Sequence, residues 1–158
     1  NQLEAVDVFV HNAGFFEPNL IEDMSLSSWQ AHLQVNMTAA FILTQNLWPL
    51  LQASPKPAMV FVSSLAGVAG AEKFPTASAY SAAKMGLVGF TEVVAAEGKP
   101  YGIRANCVSP GAVDTEMLRT VFPNLQPEFE PEEVAEHILF YGSPASAPVS
   151  GSNIVVKR

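Results

Sequence analysis

A tyrosine and a lysine four residues apart are the side chains of this sequence best suited to acid–base chemistry. Tyr80 and Lys84 occur in the segment Tyr-Ser-Ala-Ala-Lys, and Ser64 lies upstream of them. Residues at positions i and i+4 share one face of a helix, with Cβ atoms about 5–6 Å apart. A lysine at that spacing favours the anionic form of a phenol, which could then act as a base.

The size of the required pKa shift is compatible with a single lysine. A tyrosine of pKa about 10 must drop by roughly two to three units to act near pH 7–8, which corresponds to about 3–4 kcal/mol. One positive charge about 4 Å away contributes roughly 4 kcal/mol at an effective dielectric constant near 20. From spacing alone, however, an ordinary pair on a helix surface is the commoner explanation of such residues.

The composition is that of one globular domain over residues 1–158. Apolar residues make up 49% of the chain, charged residues 15%, and the net charge is −7. No Lys or Arg occurs before Lys56, so the sequence offers no basic patch for nucleic acid or an anionic membrane. The single cysteine, Cys107, allows no internal disulfide and is typical of a cytoplasmic protein. The three histidines are too dispersed for a metal site, and we expect surface or hydrogen-bonded core positions for them.

Hydrophobic patterning predicts an alternation of strands and helices. Strands are expected at Val6–Val10, Ala58–Val62, Ile103–Val108 and Asn153–Val156. Helices are expected from Ser25 to about Ala53, from Ser78 to Glu97 and from Pro131 to Gly142. This order favours right-handed βαβ units, a parallel sheet, and ligand binding at the carboxyl ends of its strands.

Three local details complete the prediction. Ser25 or Ser27 is expected to cap the first helix, and Pro49 is expected to kink or end it. The stretch from Thr115 to Pro131 has the composition of a loop, yet it contains several large apolar residues. Those side chains could form a lid over a substrate or simply pack against the core.

Five ordered motifs resemble those of the short-chain dehydrogenase/reductase family. They are His11-Asn12-Ala13-Gly14, Val35-Asn36, Ser63-Ser64-Leu65-Ala66-Gly67, Tyr80-Ser81-Ala82-Ala83-Lys84, and the stretch from Gly102 through Ser109-Pro110-Gly111 to Asp114-Thr115. A lone Tyr-x-x-x-Lys arises by chance, whereas five motifs in this order are specific. The resemblance implies a doubly wound Rossmann-like α/β fold, of which this chain matches the carboxyl-terminal, catalytic part.

The resemblance also implies a role for each matching residue in an oxidoreductase that interconverts a carbonyl and a secondary alcohol with NAD or NADP. Tyr80 would exchange a proton with the substrate oxygen, Ser64 would polarise that oxygen, and Asn36 would anchor a water in a proton relay. Lys84 would lower the pKa of Tyr80 and bind the nicotinamide ribose. Pro110, Gly111, Val113 and Thr115 would contact the nicotinamide and its carboxamide, and Asn12, Ala13 and Gly14 would lie beside the adenosine half. A homodimer or homotetramer built on the helices near 27–53 and 78–97 is also implied.

Simpler explanations stay open for several of these residues. Ser64 could be only a turn or cap residue, and Asn36 could make a plain structural hydrogen bond. Asn12–Gly14 and Gly111 could be only tight turns. The sequence also departs from the family, because 16 positions separate Ser64 from Tyr80, which is longer than the common spacing.

Two rival functions follow from the same residues. A non-catalytic, truncated relative could serve as a binding or regulatory subunit, although such a module has no need of the full set of four site residues. A hydrolase using Ser64 with Lys84 as base is disfavoured, because no Gly-x-Ser-x-Gly elbow surrounds Ser64.

The glycine-rich phosphate loop of the family has no counterpart in this sequence. The first strand would then lack one neighbour and expose an apolar edge, and a dinucleotide would lack the helix N-terminus that holds its pyrophosphate. We therefore predict that these 158 residues alone bind NAD(P) poorly. Titration of the cofactor by fluorescence or calorimetry checks this, and micromolar affinity would contradict it.

Overall fold

Four parallel strands form the centre of the molecule. The computed structural model describes residues 3–158. In chain order the strands are β1 (Val8–His11), β2 (Ala58–Val62), β3 (Arg104–Pro110) and β4 (Asn153–Val156). They lie side by side in the same order, each hydrogen-bonded to the next in parallel. Helical connections carry the chain from the end of one strand to the start of the next, as parallel pairing requires.

Helices cover both faces of this sheet, which confirms the predicted doubly wound Rossmann-like fold. They are α1 (Leu26–Leu33), α2 (Ala39–Gln52), α3 (Ser78–Gly98), α4 (Glu116–Val121) and α5 (Pro131–Gly142). Alternate strand residues point to opposite faces. On one face Phe61 and Cys107 pack with Leu87 of α3, and on the other Val60 packs with Val134 of α5.

Two predicted strands have different ends in the structure. The strand predicted at Val6–Val10 is β1, Val8–His11, because its pairing with β2 continues to His11 opposite Phe61. The strand predicted at Ile103–Val108 runs from Arg104 to Pro110. Ile103 instead donates its N–H to the Gly98 carbonyl at 3.1 Å and closes the turn after α3. The bounds predicted for β2 and β4 are confirmed.

The helix predicted from Ser25 to Ala53 is interrupted by a π-helical turn over Gln34–Thr38. Ser25 caps α1 as predicted and accepts the Ser28 N–H at 3.1 Å. Pro49 does not end α2, which continues to Gln52. A proline removes only its own N–H, and the residues after it still donate to earlier carbonyls.

The segment predicted as a loop between Thr115 and Pro131 contains the short helix α4. Thr115 caps it by accepting the Leu118 N–H at 3.2 Å. Pro131 begins α5 as predicted, where Glu130 and Glu133 form a capping box. Among residues 3–158, no helix has both the length and the apolar character needed to cross a membrane.

The first strand lies at an edge of the described sheet and carries apolar side chains there. Val8 is 47% exposed and Val10 is 40% exposed. This agrees with the exposed apolar edge that the sequence predicted, and such an edge favours pairing with another strand.

Gly67 allows the turn after β2 to pack directly on α3. A Cβ built at this position would lie 2.6 Å from the Lys84 carbonyl carbon and 2.6 Å from Ser63 Oγ. Because part of that obstruction is backbone, we expect Gly67→Ala to lower the free energy of unfolding by about 1–3 kcal/mol in urea denaturation. Gly89→Ala in α3 is the control, since a Cβ there meets nothing within 4 Å. It should raise stability by roughly 0.4–1 kcal/mol, and equal losses in both variants would contradict this account.

Candidate active site

A cavity of about 850 Å³ opens where β1, β2 and β3 end. Parallel sheets bind ligands at this edge because the loops leaving the strands converge there. Most of the predicted site residues line the cavity: Asn12, Gly14, Ser64, Tyr80, Lys84, Pro110, Gly111, Val113 and Thr115. Asn36 and Ala13 are not among its lining residues. The structure therefore brings nine predicted residues, drawn from four separate sequence segments, to one cavity.

Tyr80 and Lys84 lie one turn apart on α3, as the i,i+4 spacing predicts. Lys84 Nζ is 5.6 Å from the centre of the Tyr80 ring. Burial raises the pKa of the Tyr80 phenol above its ordinary value, and the nearby Ser64 hydroxyl partly opposes that rise. The expected lowering of the Tyr80 pKa by Lys84 is not what this structure shows. Tyr80 is therefore a neutral O–H donor at pH 7.

Lys84 is a buried ammonium group held by a backbone carbonyl. Only 3% of the residue is exposed, and Nζ donates a hydrogen bond to the Val62 carbonyl at 2.9 Å. Burial lowers the pKa of Lys84 from 10.5 to about 8. No salt bridge to Lys84 occurs within residues 3–158. The lysine thus keeps a charge near neutral pH that the surrounding protein does not neutralise.

Ser64 has two roles that the sequence left as alternatives. Its backbone is extended, and its Oγ accepts the Ala66 N–H at 3.1 Å, which caps the short 3₁₀ turn Leu65–Gly67. The same hydroxyl also acts on the pKa of Tyr80. The cap fixes the hydroxyl oxygen at the end of β2, so its proton remains available to an acceptor in the cavity.

Asn36 lies in the π-helical turn and is fully buried. Its Oδ1 accepts the Phe15 N–H at 3.1 Å, while its Nδ2 donates to the carbonyls of Phe15 at 2.8 Å and His32 at 2.9 Å. A π turn leaves helix carbonyls without their usual N–H partners, and Asn36 satisfies one of them. Its side chain therefore fixes the backbone that follows the Asn12–Gly14 turn.

His11 differs from the expectation of a surface or hydrogen-bonded histidine. It is 2% exposed, and its Nε2 has no hydrogen-bond partner among the described residues. Burial, followed by the positive charge of Lys84, lowers the pKa of His11. His32 does meet the expectation, because it is buried and its Nε2 accepts the Glu17 N–H at 3.1 Å. His137 is exposed.

Two glycines lie on the expected cofactor side of the cavity, each close to a charged or polar side chain. A Cβ built on Gly14 would lie 3.6 Å from Asn36 Oδ1 and 3.7 Å from Lys84 Nζ. At Gly111 it would lie 2.7 Å from Glu128 Oε2. Gly111, expected at the nicotinamide, and Gly14, expected beside the adenosine half, line the same cavity as Lys84. Lys84 is the one basic side chain in the cavity lining of the described chain, so the lining offers little to the phosphates.

Sequence reasoning missed an aromatic wall beside Tyr80. The Phe16 ring lies 5.0 Å from that of Tyr80 and stacks on Phe122 at 5.7 Å, and Phe74 lies 5.5 Å from Phe122. Two sequence signals could have indicated it. Phe16 follows the Asn-Ala-Gly turn almost directly, and Phe74 lies in the lengthened segment between Ser64 and Tyr80.

A comparison with known families agrees with this geometry. The parallel sheet with helices on both faces defines a Rossmann-like α/β protein. The family model described as short chain dehydrogenase matches residues 1–126. The chain therefore belongs to the short-chain dehydrogenase family.

Curated relatives match nearly all of this chain, whereas the chain spans about two thirds or less of their length. A 3-oxoacyl-[acyl-carrier-protein] reductase of Synechocystis is 34% identical, with 99% of this chain and 65% of that protein aligned. A trans-4-hydroxycyclohexanecarboxylate dehydrogenase of Sinomonas cyclohexanicum is 33% identical, with 96% of this chain and 59% of that protein aligned. A short chain dehydrogenase of Escherichia coli CFT073, solved with NADPH, superposes with a TM-score of 0.88 and is 30% identical. The superposition covers 98% of this chain and 64% of that one.

Replacement of the buried lysine by an apolar side chain should stabilise the fold. The lowered pKa of Lys84 corresponds to about 3 kcal/mol, because each pKa unit is about 1.4 kcal/mol. Below pH 8 the lysine is charged in both folded and unfolded chains, and burial of that charge costs stability. Between pH 8 and 10.5 the folded state loses its proton first, so the cost diminishes as pH rises.

We therefore expect Lys84→Met to raise the free energy of unfolding at pH 7 by up to about 3 kcal/mol. The gain should shrink towards pH 10.5. Denaturant titrations of both proteins from pH 6 to 10 measure this difference. Lys99→Met, at an exposed position, is the control and should show no such trend. A gain independent of pH would contradict the prediction.

Proposed function

We propose that this chain carries the catalytic site of an NAD(P)-dependent oxidoreductase that interconverts a carbonyl and a secondary alcohol. The observation that supports this most strongly is the meeting of Ser64, Tyr80 and Lys84 at one cavity. A hydroxyl donor, a phenol and an uncompensated ammonium group together suit an oxygen atom that gains or loses a proton. The solved neighbour with bound NADPH supports the choice of cofactor.

In the reductive direction, the substrate carbonyl oxygen accepts hydrogen bonds from Ser64 Oγ and the Tyr80 phenol. A bound nicotinamide supplies the hydride that reaches the carbonyl carbon. As negative charge develops on the oxygen, Tyr80 transfers its proton there and becomes a phenolate. The raised pKa of Tyr80 suits this role, because the phenol is fully protonated at neutral pH before the step.

Lys84 would stabilise the phenolate that Tyr80 becomes after that proton transfer. A phenolate buried in the cavity needs a positive charge, and the ammonium group 5.6 Å from the ring centre is the nearest one. That charge diminishes above pH about 8. Asn36 acts indirectly, because it holds the backbone beside Gly14 and Lys84. The ribose hydroxyls of the cofactor would lie against Lys84. Pro110, Gly111, Val113 and Thr115 would contact the nicotinamide, and Asn12, Ala13 and Gly14 would lie beside the adenosine half.

Assembly into a homodimer or homotetramer is part of the same proposal. Apolar side chains are exposed on α2 and α3, on surfaces that do not face the sheet: Phe41 at 49%, Ile42 at 43%, Met85 at 43% and Val93 at 53%. Surfaces of this kind are typical of contacts between subunits. The single cysteine, buried and unpaired, is in keeping with a cytoplasmic location.

Removal of one oxygen atom tests the proposal. Tyr80→Phe should lower kcat for ketone reduction by about 10²–10⁴-fold, because the proton donor is lost while the ring packing on Phe16 remains. The assay follows NADPH oxidation by the full-length gene product over a panel of ketones. Tyr101→Phe removes the same atom from a residue that is 53% exposed and should leave kcat unchanged.

Retained activity in the Tyr80→Phe protein would rule out the proposed mechanism. Absence of turnover in the unaltered protein, with every ketone and with both NADH and NADPH, would instead favour a non-catalytic binding or regulatory subunit.

A further inference from the structure

Four aromatic rings form a continuous series from Tyr80 to the rim of the cavity. Phe16 contacts Tyr80, Phe122 stacks on Phe16 with 23° between the ring planes, and Phe74 contacts Phe122. All four residues line the cavity. The three phenylalanines come from the loop after β1, the segment before α3 and the end of α4. The series therefore joins three otherwise separate walls.

Phe122 is held in place by the backbone around it. Its N–H donates to the Leu118 carbonyl at 2.8 Å, and its carbonyl accepts the Leu125 N–H at 2.9 Å. Phe74 is 48% exposed and yet remains in contact with Phe122. The lengthened segment between Ser64 and Tyr80 thus places an aromatic ring over the cavity opening, where its free face can contact a ligand.

The charges in the part of the lining that residues 3–158 form disfavour an anionic group on the substrate. Glu72 and Glu128 are the acidic residues of its lining, and Lys84 is the basic one. Lys84 is hydrogen-bonded to the Val62 carbonyl. Lys73 is the next residue after Glu72, but its Nζ donates to the carbonyls of Leu65 at 3.2 Å and Val68 at 2.6 Å. Among the described residues the lining thus offers no free cation to a negatively charged group close to the substrate carbonyl.

We infer that the substrate is a neutral ketone that carries an aromatic ring, or the corresponding alcohol. Its ring would pack on Phe122 and Phe74 while its oxygen reaches Ser64 and Tyr80. Aromatic pairs in offset or edge-to-face contact attract each other beyond the area they bury. This assignment rests on the proposed function, and it differs from the acyl-thioester substrate that the name of the Synechocystis relative indicates for that protein.

The first experiment compares three ketones with the full-length gene product and NADPH. Acetophenone is the probe, cyclohexyl methyl ketone is its saturated counterpart, and acetoacetyl-coenzyme A is the anionic thioester. We expect kcat/KM to be roughly tenfold higher for acetophenone than for the cyclohexyl ketone, and lowest for the thioester. Acetoacetyl-coenzyme A as the best of the three, or equal values for the two simple ketones, would overturn the inference and leave the proposed function intact.

The second experiment uses variants of the ring series. Phe74→Leu and Phe122→Leu should each raise KM for acetophenone about fivefold and change kcat little, because they remove ring contacts and leave the proton donor. Phe140→Leu is the matched control, since Phe140 is 46% exposed on α5 and outside the cavity lining. An equal KM in the Phe122→Leu and Phe140→Leu proteins would overturn the inference. Thermal melting confirms that each variant is folded.

Binding without turnover separates this inference from the proposed function. Saturation-transfer NMR measures acetophenone binding to the Tyr80→Phe protein, which retains all the phenylalanine rings. We expect binding that is weakened by an added Phe122→Leu change and unaffected by an added Phe140→Leu change. That result in a protein with no ketone turnover would reject the proposed reaction and support the aromatic ligand class. If acetophenone does not bind while other ketones are turned over, the aromatic ligand class is rejected and the proposed reaction is supported.

Discussion

The burial of one ammonium group at the junction of β2 and α3 governs how this site is organised. On folding, Lys84 loses almost all of its contact with water, and its Nζ donates one hydrogen bond to the Val62 carbonyl. One hydrogen bond to a neutral carbonyl does not replace hydration and an opposite charge. The lysine therefore destabilises the fold, as its lowered pKa indicates. A buried charge beside a phenol, kept at this cost to stability, fits the proton transfer proposed for this site.

The neighbouring polar groups explain how the backbone tolerates this charge. Asn36 uses the hydrogen-bonding capacity of its amide to pin the Phe15 backbone and to satisfy the His32 carbonyl left by the π turn. Gly67 lets the turn after β2 approach the Lys84 backbone, where any larger residue would collide. His11, buried without a partner for its Nε2 among the described residues, lies within the influence of the same charge. The side chains proposed to act on the substrate thus lie in a region where buried groups lower the stability of the fold.

The aromatic series forms a wall of the cavity beside the proposed proton donor. Tyr80 belongs to the ring series through its contact with Phe16, and it is also the proposed proton donor. A substrate that packs on Phe122 and Phe74 would therefore be aligned with the phenol by the same contacts that give it affinity. Productive catalysis depends on such alignment, because a bound geometry close to the reacting one removes much of the entropic barrier.

The order of elements, the parallel sheet and the i,i+4 geometry of Tyr80 and Lys84 could be predicted from the sequence, because hydrophobic period and residue spacing act locally. Capping at Ser25 and the start of α5 at Pro131 were predictable for the same reason. The π turn around Asn36 depends on a distant contact with Phe15. The pKa direction of Tyr80 and the ring series to Phe74 likewise depend on burial and on loops far apart in the chain. Local pattern thus determined the scaffold, whereas tertiary packing alone decided the solvation and the walls of the site.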